Sequence, residues 1–181
     1  MRDNWYVITG GPSTGKTTLL NLLSKKGYMT VPEAARLLID REMAKGKTLE
    51  QIRADEAAFQ EEIARMKQVI EAELSTNTQT VFLDRGMQDT LAYLRHYDFE
   101  VKDWVHDALK AATYNKVFLL DPLPLYEKDY ARSEDEAFVQ QIDDLLYEAY
   151  VLFGMEPVRV PALSPSERIN FILKHIDQDE A

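Results

Sequence analysis

Residues 10–17 read Gly-Gly-Pro-Ser-Thr-Gly-Lys-Thr, matching G-x-x-x-x-G-K-[ST], and no other stretch constrains this chain as strongly. Glycines at 10, 11 and 15 let a backbone curl tightly, so that its N–H groups converge on an anion. The expected phosphate contacts are Gly10, Gly11, Pro12, Ser13, Thr14, Gly15, Lys16, Thr17 and Thr18. Lys16 is placed to reach the β- and γ-phosphates of a nucleotide, and the Thr17 hydroxyl to ligate Mg²⁺. The flanks support this reading. Residues 5–8, Trp-Tyr-Val-Ile, predict a short buried strand, and residues 17–27 predict a helix with lysines in its last turn and a closing glycine. A strand, a loop and a helix N-terminus in that order form an anion site.

Length and composition narrow the rest. A chain of 181 residues fits a single domain over 1–181 with room for a small flap. No run of about 18 apolar residues predicts a membrane span, and residues 1–4 lead straight into a strand, leaving no signal peptide. With no cysteines there are no disulfides, thiolate metal sites or cysteine nucleophiles, and a cytoplasmic protein is expected. Lys and Arg total 21 against 31 Asp and Glu, a net charge of −10 without a basic block. That balance argues against a nucleic-acid partner, while a local positive groove for a phosphorylated small molecule remains compatible. A homo-oligomer is compatible with the sequence, which does not specify one.

Further strands are expected at 28–31, 80–84, 116–121 and 158–160, each short and apolar. Helices are expected between them: 32–40, a long one opened by the capping box Thr48-x-x-Gln51, one through Leu91, Ala92 and Leu94, and one at 104–112. A second box, Ser133 to Glu136, opens a helix ended by Gly154, and Ser164 to Glu167 caps the last. In the long helix Ile52, Phe59, Ile63, Met66, Ile70 and Leu74 share a face and read as core. Five strands alternating with helices predict an α/β fold: a three-layer sandwich around a mostly parallel sheet. Ligands in such sheets bind at strand carboxyl ends, where the loop at 10–17, Glu33, Asp84-Arg85 and Asp121 all fall.

These strand-end residues carry the candidate chemistry. Asp84 reads as a carboxylate near Mg²⁺, with Arg85 aimed at a substrate phosphate or at Glu33; the plainer alternative is a helix cap. An arginine after Asp84 disfavours hydrolytic ATPases that place a water-activating glutamate there. The guanine-nucleotide patterns D-x-x-G and N-K-x-D fail at 84–87 and 115–118. Glu33 is a candidate to take the proton of an acceptor hydroxyl and Arg36 to hold the acceptor, although Arg36 also pairs naturally with Asp40. Gln60 is a candidate reader of an acceptor base or sugar. Residues 126–133, with Lys128 and Arg132, read as a flap over the phosphates or as a plain solvated loop; in the flap, Arg132 supplies the transition-state charge. His96, His106 and His175 match no metal spacing, and Asp89 either caps its helix or supports Arg85.

The loop at 10–17, Val-Pro-Glu-Ala-Ala-Arg at 31–36, Phe59-Gln60, and Asp84-Arg85-Gly86 with Asp89 and Tyr93 together resemble the small AAA-domain P-loop ATPase/kinase family. That family is similar to the ribosylnicotinamide kinase domain of a bifunctional NAD-biosynthesis regulator and, more distantly, to thymidylate and deoxynucleoside kinases. The resemblance implies phosphate and Mg²⁺ roles for Lys16 and Thr17 and a base role for Glu33. It further implies an acidic-Arg pair at Asp84-Arg85 and a lid arginine at Arg132. The lid carries one arginine rather than a cluster, and no base-reading motif names the acceptor. The leading expectation is an ATP- and Mg²⁺-dependent small-molecule kinase, with Lys16, Glu33, Asp84, Arg85 and Arg132 catalytic. The alternatives are a nucleotide-binding switch acting through a protein partner and a slow NTPase.

Overall fold

The computed structural model describes residues 4–75, 78–123 and 136–177. Five strands, β1 (Trp5–Thr9), β2 (Met29–Val31), β3 (Val81–Asp84), β4 (Lys116–Leu120) and β5 (Val158–Val160), form one sheet. Its order is β2-β3-β1-β4-β5, and every neighbouring pair is parallel. The first strand therefore lies centrally, flanked by strands that arrive much later in the chain. Eight helices are described: α1 (Lys16–Lys25), α2 (Ala34–Ala44), α3 (Leu49–Ile52), α4 (Glu56–Leu74), α5 (Gln88–His96), α6 (Asp103–Ala111), α7 (Glu136–Leu152) and α8 (Pro165–Asp177).

Strand periodicity divides the core into two layers. Trp5 and Val7, with Val81, Leu83, Val117 and Leu119, pack against α4, α5, α6 and α7. The alternate residues Tyr6, Ile8, Phe82, Phe118 and Leu120 face the other way, onto Leu19 and Leu23 of α1 and Ile169 and Ile172 of α8. A parallel sheet buried on both faces needs apolar residues at every position, which explains the runs that mark its strands. Each apolar side chain of this kind stabilises by about 1.5–3 kcal/mol when fully buried. A third, smaller cluster joins Ala34 and Leu38 of α2 to Phe59 and Ile63 of α4, at the sheet edge beside β2.

The long helix expected from Thr48 is two helices. The Thr48–Gln51 capping box forms, with both reciprocal bonds, but α3 ends after one turn. The chain restarts at Asp55, whose carboxylate accepts from the Ala58 N–H and caps α4. This second cap, so close to the first, restarts the helix and leaves Arg53 in the break. At the far end of the chain Ser164 and Glu167 exchange bonds as a capping box on α8. The Ser133–Glu136 box and the flap at 126–133, with Lys128 and Arg132, lie outside the described residues.

Candidate active site

The loop after β1 carries two backbone conformations that its sequence demands. Gly10 has φ 146°, and a Cβ there would meet the Leu120 carbonyl and Thr14 Oγ1 at 3.0 Å. Ser13 adopts φ 58°, a left-handed conformation uncommon outside glycine. Lys16 is buried and folds back over the loop, its Nζ donating to the carbonyls of Gly10 at 2.9 Å and Gly11 at 2.7 Å. Burial, with Arg85 adding to it, lowers the Lys16 pKa to about 7, against the opposing pull of Asp84, Glu33 and Asp89. From behind, Arg168 of α8 ties the loop down. It donates to the carbonyls of Thr14 at 2.7 Å, Asp121 at 3.0 Å and Pro161 at 2.9 Å while 2% exposed.

Across the site stands Arg85, just past β3. Its φ of 68° places a bulky residue in the left-handed region, a strain that persists only where surroundings over-determine it. They do so here. Arg85 Nε donates to Glu33 Oε1 at 2.7 Å, and Nη1 donates both to the Gly10 carbonyl at 3.1 Å and to Asp89 Oδ1 at 3.0 Å. The guanidinium also lies over the Tyr93 ring at 5.3 Å. Burial opposes the charge, but Tyr93, Glu33, Asp89 and Asp84 outweigh it and raise the Arg85 pKa well above its ordinary value. Glu33 is likewise disfavoured as an anion by burial, and the Arg85 charge and bond reverse this, holding its pKa below the usual range.

Behind Arg85 lies a fully buried polar scaffold. Asp89 accepts four bonds: Thr9 Oγ1 at 2.6 Å, Arg85 at 3.0 Å, the Gly86 N–H at 3.1 Å and Tyr150 OH at 2.5 Å. Lys67 Nζ donates to the Gly86 carbonyl at 2.6 Å. Tyr114 OH accepts from the Met87 N–H at 2.7 Å and donates to Glu71 Oε1 at 2.6 Å. Both tyrosine rings press on Gly86, where a Cβ would stand 2.7 Å from Tyr150 OH and 2.8 Å from the Tyr114 ring. Neither ring can retreat without breaking its bonds. A Gly86→Ala variant is therefore expected to lose about 1–3 kcal/mol by overpacking, read as a lowered urea midpoint. An unchanged midpoint would mean that the turn is not clamped.

Two cavities meet at this arginine. The larger, about 800 Å³, is lined by residues 12–18 of the loop together with Glu33, Arg53, Asp84, Arg85, Tyr93, Tyr97, Leu123 and Phe138. The smaller, about 160 Å³, lies between Ile39, Phe59, Ile63 and Tyr93, with Gln60, Arg53, Lys67 and Glu33 on its walls. Glu33, Arg53, Arg85 and Tyr93 belong to both. Phe59 and Ile63, expected purely as core, thus also wall the smaller cavity.

A family model described as an AAA domain matches residues 5–168. The chain belongs to this AAA-domain family. Its fold is shared with solved structures at low sequence identity. The structure titled NadR protein in complex with NR matches with a TM-score of 0.72 at 17% identity, over 97% of this chain and 50% of that one, so the chain spans half its length. Thymidylate kinase from Ehrlichia chaffeensis matches with a TM-score of 0.66 at 13% identity, covering 97% of this chain and 98% of that one. Shikimate kinase from Aquifex aeolicus gives 0.57 at 17%, with 97% and 98% covered. No curated protein matches the sequence. The fold of this AAA domain is thus that of the P-loop small-molecule kinases, and the expected α/β sandwich is observed with a sheet that is wholly parallel.

Not every candidate reaches the site of this AAA domain. Arg36 projects into solvent, 74% exposed, pairs with Asp40 at 3.3 Å and lines neither cavity. A turn of about 100° per residue carries Arg36 off the inward face held by Ala35 and Ile39. Asp121 also stays outside, its carboxylate facing Arg159 at 3.4 Å. Thr17, Thr18, Asp84, Gln60 and the loop residues 12–16 do line the cavities. Sequence reading missed Arg53, Lys67, Tyr93, Arg168 and the Tyr114–Tyr150 pair. Of these only Tyr93 stood within a recognised pattern; the others lie on helix faces or strand ends whose partners are distant in the chain.

Mg²⁺ has a consistent place here. Asp84 Oδ1 is buried without a hydrogen-bond partner among the described residues. Burial raises the Asp84 pKa to about 6. An orphaned carboxylate oxygen is what a cation relieves. Among the described residues no three His, Cys, Asp or Glu side chains cluster as a complete metal cage. That suits Mg²⁺, which takes one or two protein ligands and completes its shell with phosphate oxygens and water. No helix among the described residues is long and apolar enough to cross a membrane.

Proposed function

We propose that this protein is an ATP- and Mg²⁺-dependent kinase that phosphorylates a hydroxyl of a small ring-bearing molecule, a nucleoside or close relative. One observation carries the reading: the phosphate-loop cavity and the smaller cavity beside it share Glu33 and Arg85. A donor and an acceptor bound side by side would meet at that shared wall. A cavity of about 150 Å³ is large enough to enclose benzene, so by volume the 160 Å³ here accommodates one flat ring, between apolar side chains and polar walls.

Each residue then has a task. The loop amides and Lys16 neutralise the phosphates, and Thr17 and Asp84 would hold the metal, which would supply further charge neutralisation to the phosphates. Arg85, spread between Glu33, Gly10 and Asp89, holds the carboxylate of Glu33 at the cavity junction. Glu33 Oε1 is engaged by Arg85, and its other oxygen is available to accept the bond of an incoming hydroxyl. The acceptor oxygen forms a bond to phosphorus as the bond to the leaving diphosphate oxygen breaks, and the hydroxyl proton passes to Glu33. Phosphoryl transfer has a loose transition state, so positioning matters more than basicity and an ionised glutamate of low pKa suffices. Arg132, outside the described residues, is the proposed second charge on the transferred group.

The test is phosphoryl transfer from ATP across a nucleoside panel, followed by product mass, for the protein and its Glu33→Gln variant. Transfer is expected with a turnover loss of about 10²–10⁴ in the variant, the range of a positioned general base. ATP hydrolysis indifferent to every acceptor would replace the kinase with an NTPase. Tight nucleotide retention without turnover would replace it with a switch.

A further inference from the structure

The carboxylate of Glu56 has two partners, and both line the acceptor cavity. Glu56 Oε2 accepts from Arg53 Nε at 3.0 Å, and Oε1 accepts from Gln60 Nε2 at 2.8 Å. Arg53 sits in the break between α3 and α4, and its guanidinium stands over the Phe59 ring at 5.6 Å. Gln60 is one turn into α4 and 6% exposed. A carboxylate can only accept, so it fixes which end of the Gln60 amide faces it: the NH₂ end. The amide oxygen is left over, and no group among the described residues bonds to it. The same carboxylate neutralises Arg53, the one cation on the cavity wall that is substantially exposed, with 45% of its side chain accessible. The remaining charges are already matched, Arg85 against Glu33 and Asp89, while Lys67 is bonded to the Gly86 carbonyl.

We propose that Glu56 is a positioning residue for acceptor choice: by pinning Gln60 oxygen-free and holding Arg53 neutralised, it selects an uncharged nitrogen heterocycle whose edge carries an N–H donor. This rests on the kinase reading above and adds the class of ring. The ring slides between the apolar side chains of Ile39, Phe59, Ile63 and Tyr93. Its N–H donates to the Gln60 oxygen, and its attached hydroxyl reaches Glu33. A ring without the donor covers the amide oxygen and leaves it unpaired, which is why sites built around a hydrogen bond discriminate more strongly than apolar ones. An anionic acceptor meets a guanidinium whose charge Glu56 already offsets.

Matched nucleosides test this. Adenosine is compared with purine riboside, and cytidine with 2-pyrimidinone riboside, each pair differing by the exocyclic amino group. Binding is measured by calorimetry and transfer from ATP by product formation. The amino member of at least one pair is expected to win by tenfold or more, in KM rather than kcat. Glu56→Gln, a near-isosteric change at a partly buried helix end, is expected to shrink that ratio about tenfold, because an amide partner lets Gln60 turn over. It should also improve binding of the corresponding nucleoside monophosphates by freeing Arg53. Gln60→Leu should shrink the ratio equally without the monophosphate gain. Ratios near one in the unaltered protein, or a Glu56→Gln variant altered only in melting temperature, would overturn the proposal, as would failure of every amino nucleoside to bind. Selective binding without any transfer would instead overturn the kinase reading and leave the acceptor site standing.

Discussion

An Asp89→Asn variant is expected to lose about 3–5 kcal/mol of folding stability, the cost of removing one partner from a buried ion pair. Asp89 is wholly buried, and all four groups around it are donors: Thr9 Oγ1, Arg85 Nη1, the Gly86 N–H and Tyr150 OH. Asparagine keeps the shape but has one acceptor oxygen, so its NH₂ must face a donor. Burial works against the Asp89 charge, yet Lys67 and Arg85 outweigh it and hold its pKa below the ordinary value. Tyr150 can rotate its hydroxyl to accept from the new amide; Arg85 cannot. Urea unfolding at neutral pH reads the effect, and a loss under about 1 kcal/mol would show that Arg85 is neutralised by Glu33 alone. Phosphoryl transfer should fall with stability, since the strained φ of Arg85 depends on this carboxylate.

A Lys16→Met variant is expected to behave in the opposite way, losing activity and keeping its fold. Its amine bonds only to carbonyls of its own loop and to Thr14, and burial already weakens its charge without a nucleotide. Methionine fills the same space without that desolvation cost, so the stability change is expected to stay within about 1 kcal/mol. Turnover with ATP should drop by at least 10²–10³, as when a donor aimed at developing charge is removed. Steady-state transfer and a thermal melt on one preparation decide this. Unchanged product formation would remove Lys16 from the chemistry and the kinase reading with it.

These two outcomes separate roles that the sequence presents side by side. Lys16 belongs to a contiguous pattern, and its neighbours in the chain are its partners in space. Arg85 draws on both ranges: Asp89 is 4 residues away, while Glu33 is 52 and the Gly10 carbonyl 75 residues away. Glu33, Asp84 and Arg85, read from strand ends, line one cavity, because parallel strands carry their carboxyl ends to one side of the sheet. Asp121 also stands at the carboxyl end of its strand, but its carboxylate faces Arg159 of the neighbouring strand. Helix reading faltered at Arg53. A capping box announces where a helix starts, and the second cap at Asp55 ended the first helix after one turn.

The sequence by itself determined the phosphate loop, the five apolar strands and the two-faced core, because each is written in contacts between near neighbours or in a period of two along a strand. Only the tertiary structure decided what surrounds Arg85 and which way Arg36 and Gln60 face. Those depend on a strand order that places β3 between β1 and β2, bringing Glu33, Gly10 and Asp89 around one guanidinium. A buried charge is governed by every group within reach, and that set exists only once the chain is folded.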